Sequence, residues 1–256
     1  MQYYYIENIL GDLLTLPGEE SKHIVRVMRM REGDELMLVD GRGTLCRASI
    51  VAADPHSCEV RVTERREQWQ PHPFRLHVAM APTRNMARME WFAEKATEVG
   101  IDVVSPVLCD HSERVHVNEE RLNKIVVSAM KQSQRAYKPL VMPFSPLDQL
   151  IIDSDHAFDD YAAFLAGDLA RKEASASRPL QKFICYCNGD DRMPLQQVYH
   201  KGSDVVILIG PEGDFSDSEV QLARRYGFQP VTLGDTRLRT ETAALAATFY
   251  LNFLNE

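Results

Sequence analysis

Cysteine is scarce in this chain and poorly spaced for chemistry. The five present, Cys46, Cys58, Cys109, Cys185 and Cys187, are odd in number and scattered, whereas a disulfide framework or a zinc cage requires pairs at recurring spacings. Cys185-x-Cys187 sets two thiols on one face of an expected strand, and buried structural thiols are the reading they support. No run of about 18 apolar residues occurs, so no membrane span is expected. The opening Met1-Gln2-Tyr3-Tyr4-Tyr5-Ile6-Glu7 lacks the basic region and long apolar stretch of a signal peptide, which points to a cytoplasmic protein. There is no G-x-G-x-x-G and no G-x-x-x-x-G-K-[ST], which excludes the common dinucleotide and P-loop fingerprints. No H-E-x-x-H is present and the histidines (23, 56, 72, 77, 111, 116, 156, 200) are dispersed, so no metal is expected.

What is present suits one large domain or two modest ones: 256 residues, 45% hydrophobic and 26% charged. The formal charge of −8 speaks against nucleic acid as a partner. Its distribution softens that objection. Between Asp148 and Glu173 lie seven acids (148, 153, 155, 159, 160, 168, 173) and two bases (171, 172), a net of −5. One segment therefore supplies most of the imbalance, and binding depends on a local basic patch more than on the total.

Residues 1 to 70 carry short alternating runs. Asp34–Asp40, Leu45–Val51 and Ser57–Thr63 are separated by Gly41-Arg42-Gly43 and by Pro55, and turn signals at this spacing predict a small β-barrel. Ser21 to Met30 reads as one short helix with Ile24, Val27 and Met28 on its apolar face. Gln68-Trp69-Gln70-Pro71-His72-Pro73 breaks both periodicities and marks the boundary, giving domains at 1–70 and 74–256. Beyond it, strand-like runs (Arg75–Met80, Asp102–Leu108, Lys182–Cys187, Asp204–Ile209, Gln229–Leu233) alternate with helix-like runs. The latter are Met86–Val99, Asn118–Gln134, Leu147–Ile152, Phe158–Lys172, Ser216–Tyr226 and Glu241–Phe253. The alternation predicts an α/β domain with a parallel sheet and helices on both faces. Ser175-Ala176-Ser177-Arg178 reads as an exposed loop.

Two glycine-bearing turns near the C-terminus are the most informative feature. Ile209-Gly210-Pro211-Glu212-Gly213-Asp214-Phe215-Ser216 and Leu233-Gly234-Asp235-Thr236-Arg237-Leu238-Arg239-Thr240-Glu241-Thr242 each follow an apolar run and precede a helical pattern. Ligands of open α/β sheets sit beyond the carboxyl ends of strands, so two such turns on neighbouring strands can close on one small molecule. Ser216 and Glu219 have capping-box spacing. Thr240 or Thr242 is placed to cap the last helix, and Arg239 to pair with Glu241. Ala243, Ala244, Ala246 and Ala247 make that helix small-sided and suited to close packing. Basic candidates are Lys22, His23, Arg26, Arg29, Arg31 and Arg42, with Lys22, Arg26 and Arg29 sharing one helical face. Arg114, Lys131, Arg135 and Lys138 recur further on. Phosphate contacts need such residues, though a solvated face explains them equally.

Taken in order, these segments resemble the RsmE family, the 16S rRNA (uracil-N3) methyltransferases of the SPOUT class. His23–Arg29 with Gly33-Asp34 is similar to the family's N-terminal segment. Glu94-Lys95-Ala96-Thr97-Glu98-Val99-Gly100 with Ser105-Pro106 is similar to its first helix-to-strand passage. Ser112-Glu113-Arg114 and Gln132-Ser133 with Arg135 and Pro139 match its middle, and the two glycine turns match its end. The resemblance implies a PUA-like RNA-binding β-barrel and a SPOUT α/β domain with a deep trefoil knot over about 205–250. It implies S-adenosylmethionine as methyl donor, a homodimer with active sites near the subunit interface, and the small ribosomal subunit as partner. It places the donor on backbone around Leu208, Ile209, Gly210, Gly213, Leu233, Gly234 and Leu238, with Arg239, Thr240 and Thr242 at the helix start beside it. RNA contacts are expected from Lys22, Arg26, Arg29, Arg31, Arg114 and Arg135. Two departures stand out: Asp214 replaces a frequent second glycine, and Lys131 replaces a frequent glutamate.

Uracil N3 is a poor nucleophile until its proton leaves, and negative charge then spreads onto the ring oxygens. Arg239 is the candidate to stabilise that charge. Glu241 or Glu212 is the candidate proton acceptor, and either glutamate can instead orient Arg239 or cap a helix. Two other readings remain: a non-catalytic RNA-binding ribosome-assembly factor, and a SPOUT methyltransferase acting on another RNA such as tRNA.

Overall fold

The computed structural model describes residues 2–167, 178–187, 189 and 191–256. The expected loop at Ser175-Ala176-Ser177 and the last turn of the expected helix to Lys172 lie outside the described residues. So do Asp168, Arg171, Lys172 and Glu173 of the acidic segment. The chain divides into two compact units, Met1–Pro71 with Val127–Lys138, and His72–Val126 with Pro139–Glu256.

The first unit is a curled five-stranded sheet. Its strands are β1 (Tyr3–Tyr5), β2 (Leu13–Thr15), β3 (Glu35–Val39), β4 (Leu45–Ala52) and β5 (Glu59–Arg66), in the order β1-β3-β4-β5-β2. All pairs are antiparallel except β1 with β3. Register shifts at Arg47/Ala48 and Ile50/Ala52 put bulges into the β4–β5 ladder, and bulges bend and twist a sheet. Alternate residues Leu36 and Leu38 of β3 and Cys46, Ala48 and Ile50 of β4 fill one core. The two N-terminal strands escape a periodicity reading because each is only three residues long.

The expected helix at 21–30 takes a different shape. Helix α1 covers Gly18–Lys22 and runs into a widened π turn, His23–Val27, in which Met28 N–H donates to the His23 carbonyl at 2.9 Å. Arg29 then adopts φ +56° and ends the turn. The widened turn shifts the angular register, so only Ile24 is buried, while Val27 and Met28 are 64% and 45% exposed. Lys22, Arg26 and Arg29 therefore do not continue along one helical face. Lys131, within the same unit, meets Glu20 at 2.5 Å, which accounts for a lysine at that position.

The second unit is a parallel sheet flanked by helices. In chain order it comprises β6 (Leu76–Met80), α2 (Met86–Val99), β7 (Val103–Leu108), α3 (Glu119–Gln132), β8 (Leu140–Val141), β9 (Ser145–Pro146), α4 (Leu147–Ile152) and α5 (Asp159–Ala166). There follow β10 (Leu180–Cys185), β11 (Met193–Pro194), α6 (Leu195–Val198), β12 (Asp204–Ile209), α7 (Asp217–Arg225), β13 (Gln229–Thr232) and α8 (Thr240–Asn255). The last turns of α3, from Val127, group with the first unit. The strand order is β11-β13-β10-β12-β6-β7-β8, with β9 also pairing β7, and every pair is parallel. Central strands β6 and β12 are buried along their whole length, which is why they read as unbroken apolar runs rather than alternating ones.

Helix α2 starts where the Asn85 side chain accepts from Ala87 N–H and stops at Gly100, whose φ of +130° no β-carbon favours. Its buried residues Met89, Phe92, Ala93 and Ala96 recur at helical spacing and share a core with Ala244, Ala247 and Leu251 of α8. Small residues on both helices allow the close approach. At the amino ends of the strands, two buried carboxylates are fully engaged. Asp204 accepts from Arg75 Nε at 2.7 Å and its backbone N–H at 2.7 Å. Asp102 accepts from Leu76 N–H at 2.8 Å and lies 2.8 Å from His72 Nδ1. These contacts fill the amino ends of β6, β7 and β12, and a cavity of about 570 Å³ lies beside the amino ends of β10 and β13.

Candidate active site

Three strands, not two, deliver the site. β12 and β13 are not neighbours as expected; β10 lies between them, hydrogen-bonded to both. The loops after β10, β12 and β13 therefore leave the sheet side by side. A groove of about 650 Å³ is lined by Cys185, Tyr186, Cys187 and Gly189 after β10 and by Leu233 through Leu238 after β13. A smaller recess of about 280 Å³ shares Cys185, Cys187, Arg237, Leu238 and Ala243 with it and adds Ile209, Gly210, Pro211, Glu212, Asp214, Arg239 and Thr240.

The turns are shaped by packing as much as by openness. A β-carbon at Gly210 would stand 3.1 Å from the Phe215 ring, and one at Gly213 3.0 Å from His111 Cβ. Gly213 therefore packs against His111 and is not part of the recess wall. Gly234 has φ +136° with no atom within 4 Å of where a β-carbon would sit, so its backbone is bare on that side. Ser216 and Glu219 form the expected capping box at the start of α7. The start of α8 differs from expectation: Arg239 is the N-cap residue, without a side-chain cap, and neither Thr240 nor Thr242 serves. Its free N–H groups remain available to an acceptor beside the recess.

Asp214 does more than rim the site. It is buried and holds φ +65°, a conformation aspartate tolerates better than most residues. One carboxylate oxygen accepts from Cys187 N–H at 2.8 Å and the other from Phe215 N–H at 2.9 Å. His111 Nδ1 lies 3.0 Å from its carbonyl. A single side chain thus ties the loop after β10 to the turn after β12. Cys187 is exposed in that loop, beyond the end of β10, so the two thiols of Cys185-x-Cys187 are not both buried in a strand.

The remaining expected residues separate clearly. Ile209, Gly210, Leu233, Gly234, Leu238, Arg239 and Thr240 line the two cavities. Leu208 is sealed within β12 and Thr242 is exposed on α8, and neither is on a cavity wall. Arg239 is exposed, and its guanidinium has no carboxylate partner among the described residues. Glu241 does not pair with it: that carboxylate is buried and sits 3.6 Å from Arg88 Nε. Glu212 lines the recess and accepts from Arg84 N–H at 3.1 Å. Lys22, Arg26, Arg29 and Arg31 are exposed on the first unit, where Arg135 is half-buried; Arg114 belongs to the second. Tyr186, Gly189, Arg192 and Arg237 line the larger groove without having been anticipated. Gly189 carried a usable signal, since it follows an apolar run as Gly210 and Gly234 do.

This architecture has clear relatives. The RNA methyltransferase domain family matches residues 70–252, and the RNA methyltransferase PUA domain family matches residues 16–63. The fold is thus that of an RNA methyltransferase. The chain is 29% identical to the ribosomal RNA small subunit methyltransferase E of Bacillus subtilis, over all of this chain and 98% of that protein. A crystal structure of a probable rRNA methyltransferase from Porphyromonas gingivalis superposes with a TM-score of 0.84 at 39% identity, covering 100% of this chain and 98% of that one. The small subunit methyltransferase E of Neisseria gonorrhoeae, bound to S-adenosyl methionine, gives 0.80 at 26% identity over 99% and 98% of the two chains. The chain belongs to the RsmE family of RNA methyltransferases.

Proposed function

We propose that this protein transfers a methyl group from S-adenosylmethionine to N3 of one uridine in the 16S rRNA of the small ribosomal subunit. The observation that carries the reading is the convergence of three strand-end loops on one pocket, with Arg239 and Glu212 both on its wall. The names of full-length relatives, and the donor bound to the Neisseria protein, support the substrate and the methyl source.

The residues present fit the donor. The larger groove is of the size that holds a small molecule, generally about 300–1,000 Å³. Backbone of Ile209, Gly210, Leu233, Gly234, Leu238 and Thr240 would hold it. The bare face of Gly234 and the uncapped start of α8 offer main-chain groups without side-chain obstruction. When bound, it supplies a methyl group already activated on a sulfonium, so the protein's task is alignment and proton removal. Arg239 donates to a uracil oxygen and stabilises the negative charge that builds there as the N3 proton departs; its lack of a carboxylate partner among the described residues supports this role. Glu212 accepts that proton on a carboxylate oxygen. Its place on the recess wall favours it over Glu241, which is buried against Arg88.

The first unit serves as the RNA-binding module, supported by the match at 16–63 and the exposure of Lys22, Arg26, Arg29 and Arg31. Residues 74–256 form the catalytic module, with the chain threaded into a knot over about 205–250. A second copy covers Trp91 of α2 and Phe249, Tyr250 and Phe253 of α8, large apolar side chains left exposed on two helices that pack together. Substrate and donor place the reaction in the cytoplasm. The pocket tells against a non-catalytic assembly factor. Calorimetry with S-adenosylmethionine is the test: the native chain binds one equivalent, and a chain that binds none is not a methyltransferase of this kind.

A further inference from the structure

A second cleft, of about 680 Å³, adjoins the recess through Glu212, which lines both. Its other walls are Arg84, Asn85, Met86 and Arg88 from the loop after β6 and the start of α2, and Glu113 and Arg114 from the loop after β7. Three arginines against two glutamates give it a net positive charge. Arg84 and Arg114 are weakly committed. Arg84 is 81% exposed and meets the exposed Glu113 at 3.4 Å, and Arg88 stands 3.6 Å from Glu241. Arg114 donates from Nη2 to the Arg84 carbonyl at 3.0 Å, while its buried Nε has no partner. A buried donor without an acceptor calls for a ligand to complete it. The exposed Arg84–Glu113 pair, at this length, contributes little and is readily exchanged for a better acceptor.

We infer that this cleft receives the phosphodiester backbone of the RNA strand beside the target nucleotide, held by Arg84 and Arg114. The inference rests on the methyltransferase reading above and adds a substrate subsite to it. Guanidinium groups suit phosphate because the planar fork offers paired donors to two of its oxygens. Glu212 lies at the junction, so a phosphate seated here positions the neighbouring base over the recess. Glu113 and Glu212 bar uncompensated approach of further phosphates, which limits the cleft to one or two.

The test uses the full-length protein, a fluorescein-labelled uridine dodecamer, and anisotropy titrations between 50 and 200 mM KCl. For single strands the slope of log K against log salt changes by about 0.7 per phosphate contact. Arg84→Ala is expected to lower the slope by about 0.7, and the Arg84→Ala/Arg114→Ala pair by about 1.4. Arg84→Lys, which keeps the charge, retains most of the slope. Arg225→Ala, which removes an equal charge elsewhere on the same unit, leaves it unchanged. S-adenosylmethionine affinity, read by calorimetry on the same samples, stays within twofold in all variants. An unchanged slope in the double variant overturns the inference, as does salt-independent binding by the native chain. Loss of donor binding with an intact slope assigns the arginines to the donor instead and also overturns it. Failure of the native chain to bind the donor at all strikes the methyltransferase reading, which this slope does not measure.

Discussion

Asp214 is the most revealing position to alter, because one side chain joins two of the three loops that form the pocket. Asp214→Ala removes both carboxylate bonds, to Cys187 N–H and to Phe215 N–H. Hydrogen bonds to a charged group contribute about 1.5–3 kcal/mol each, and water can partly replace the one at the pocket wall, so a loss of roughly 3 kcal/mol is expected for the pair. Alanine at φ +65° adds about 1 kcal/mol of backbone strain. Asp214→Gly loses the same bonds without that strain. Asp214→Asn keeps one acceptor oxygen and tolerates the left-handed backbone. The expected order of stability is native, Asn, Gly, Ala. For a unit of this size about 1 kcal/mol shifts the melting temperature by 2–4 °C, so the alanine variant should melt roughly 10 °C low. Donor affinity should fall further in Gly than in Asn, because only the former frees the loop after β10. Melting curves with and without S-adenosylmethionine, plus calorimetry, read both quantities. If Ala and Gly variants melt within about 2 °C of the native protein and bind the donor equally well, the tie is not what shapes the pocket.

Three further outcomes follow from the same geometry. Arg239→Ala should lower kcat by about 10²–10³ while donor affinity, measured by calorimetry, changes little; near-normal turnover removes Arg239 from the chemistry. Gly234→Ala should weaken donor binding and cost about 1–2 kcal/mol of stability, since φ +136° is unfavourable to any β-carbon; unaltered affinity would show that the groove is not where the donor lies. His77, buried in β6 and 2.6 Å from Ser105 Oγ, has its pKa lowered by burial to about 4. The unfolded chain therefore takes up this proton first. Stability from the neutral ring is full above pH 6.5 and is lost as pH falls toward 4, by roughly 3 kcal/mol. Thermal melts across that window should show the fall, with a shallower one in His77→Gln.

Much of the second unit was legible because its physics is local. Met86–Val99, Leu147–Ile152 and Asp204–Ile209 have the bounds their periodicity predicts, and the capping box at Ser216 and Glu219 is a rule of spacing. Strand order is not local. Nothing in the runs themselves says that β10 separates β12 from β13, and so the loop after β10 went unnoticed as the third wall. The arginine-bearing face at 22–29 failed for a related reason. A π turn that buries Ile24 and a left-handed Arg29 are departures from helical geometry that no helical wheel foresees. Asp214 was recognised as a departure, but its purpose depends on Cys187, far off in the chain and adjacent only after folding. Glu241 and Arg239 are close in sequence yet do not pair, since the buried Glu241 faces Arg88.

Methylation at N3 blocks the pairing edge of uracil, so reverse transcription halts there. Primer extension along small-subunit rRNA from a strain lacking this gene, set beside its parent, tests the central claim most directly. A single halt at one uridine in the parent, absent from the deletion strain and restored when purified protein and S-adenosylmethionine are added to its subunits, is the predicted result. Identical extension patterns in the two strains, or a mark lost from tRNA instead, would contradict it.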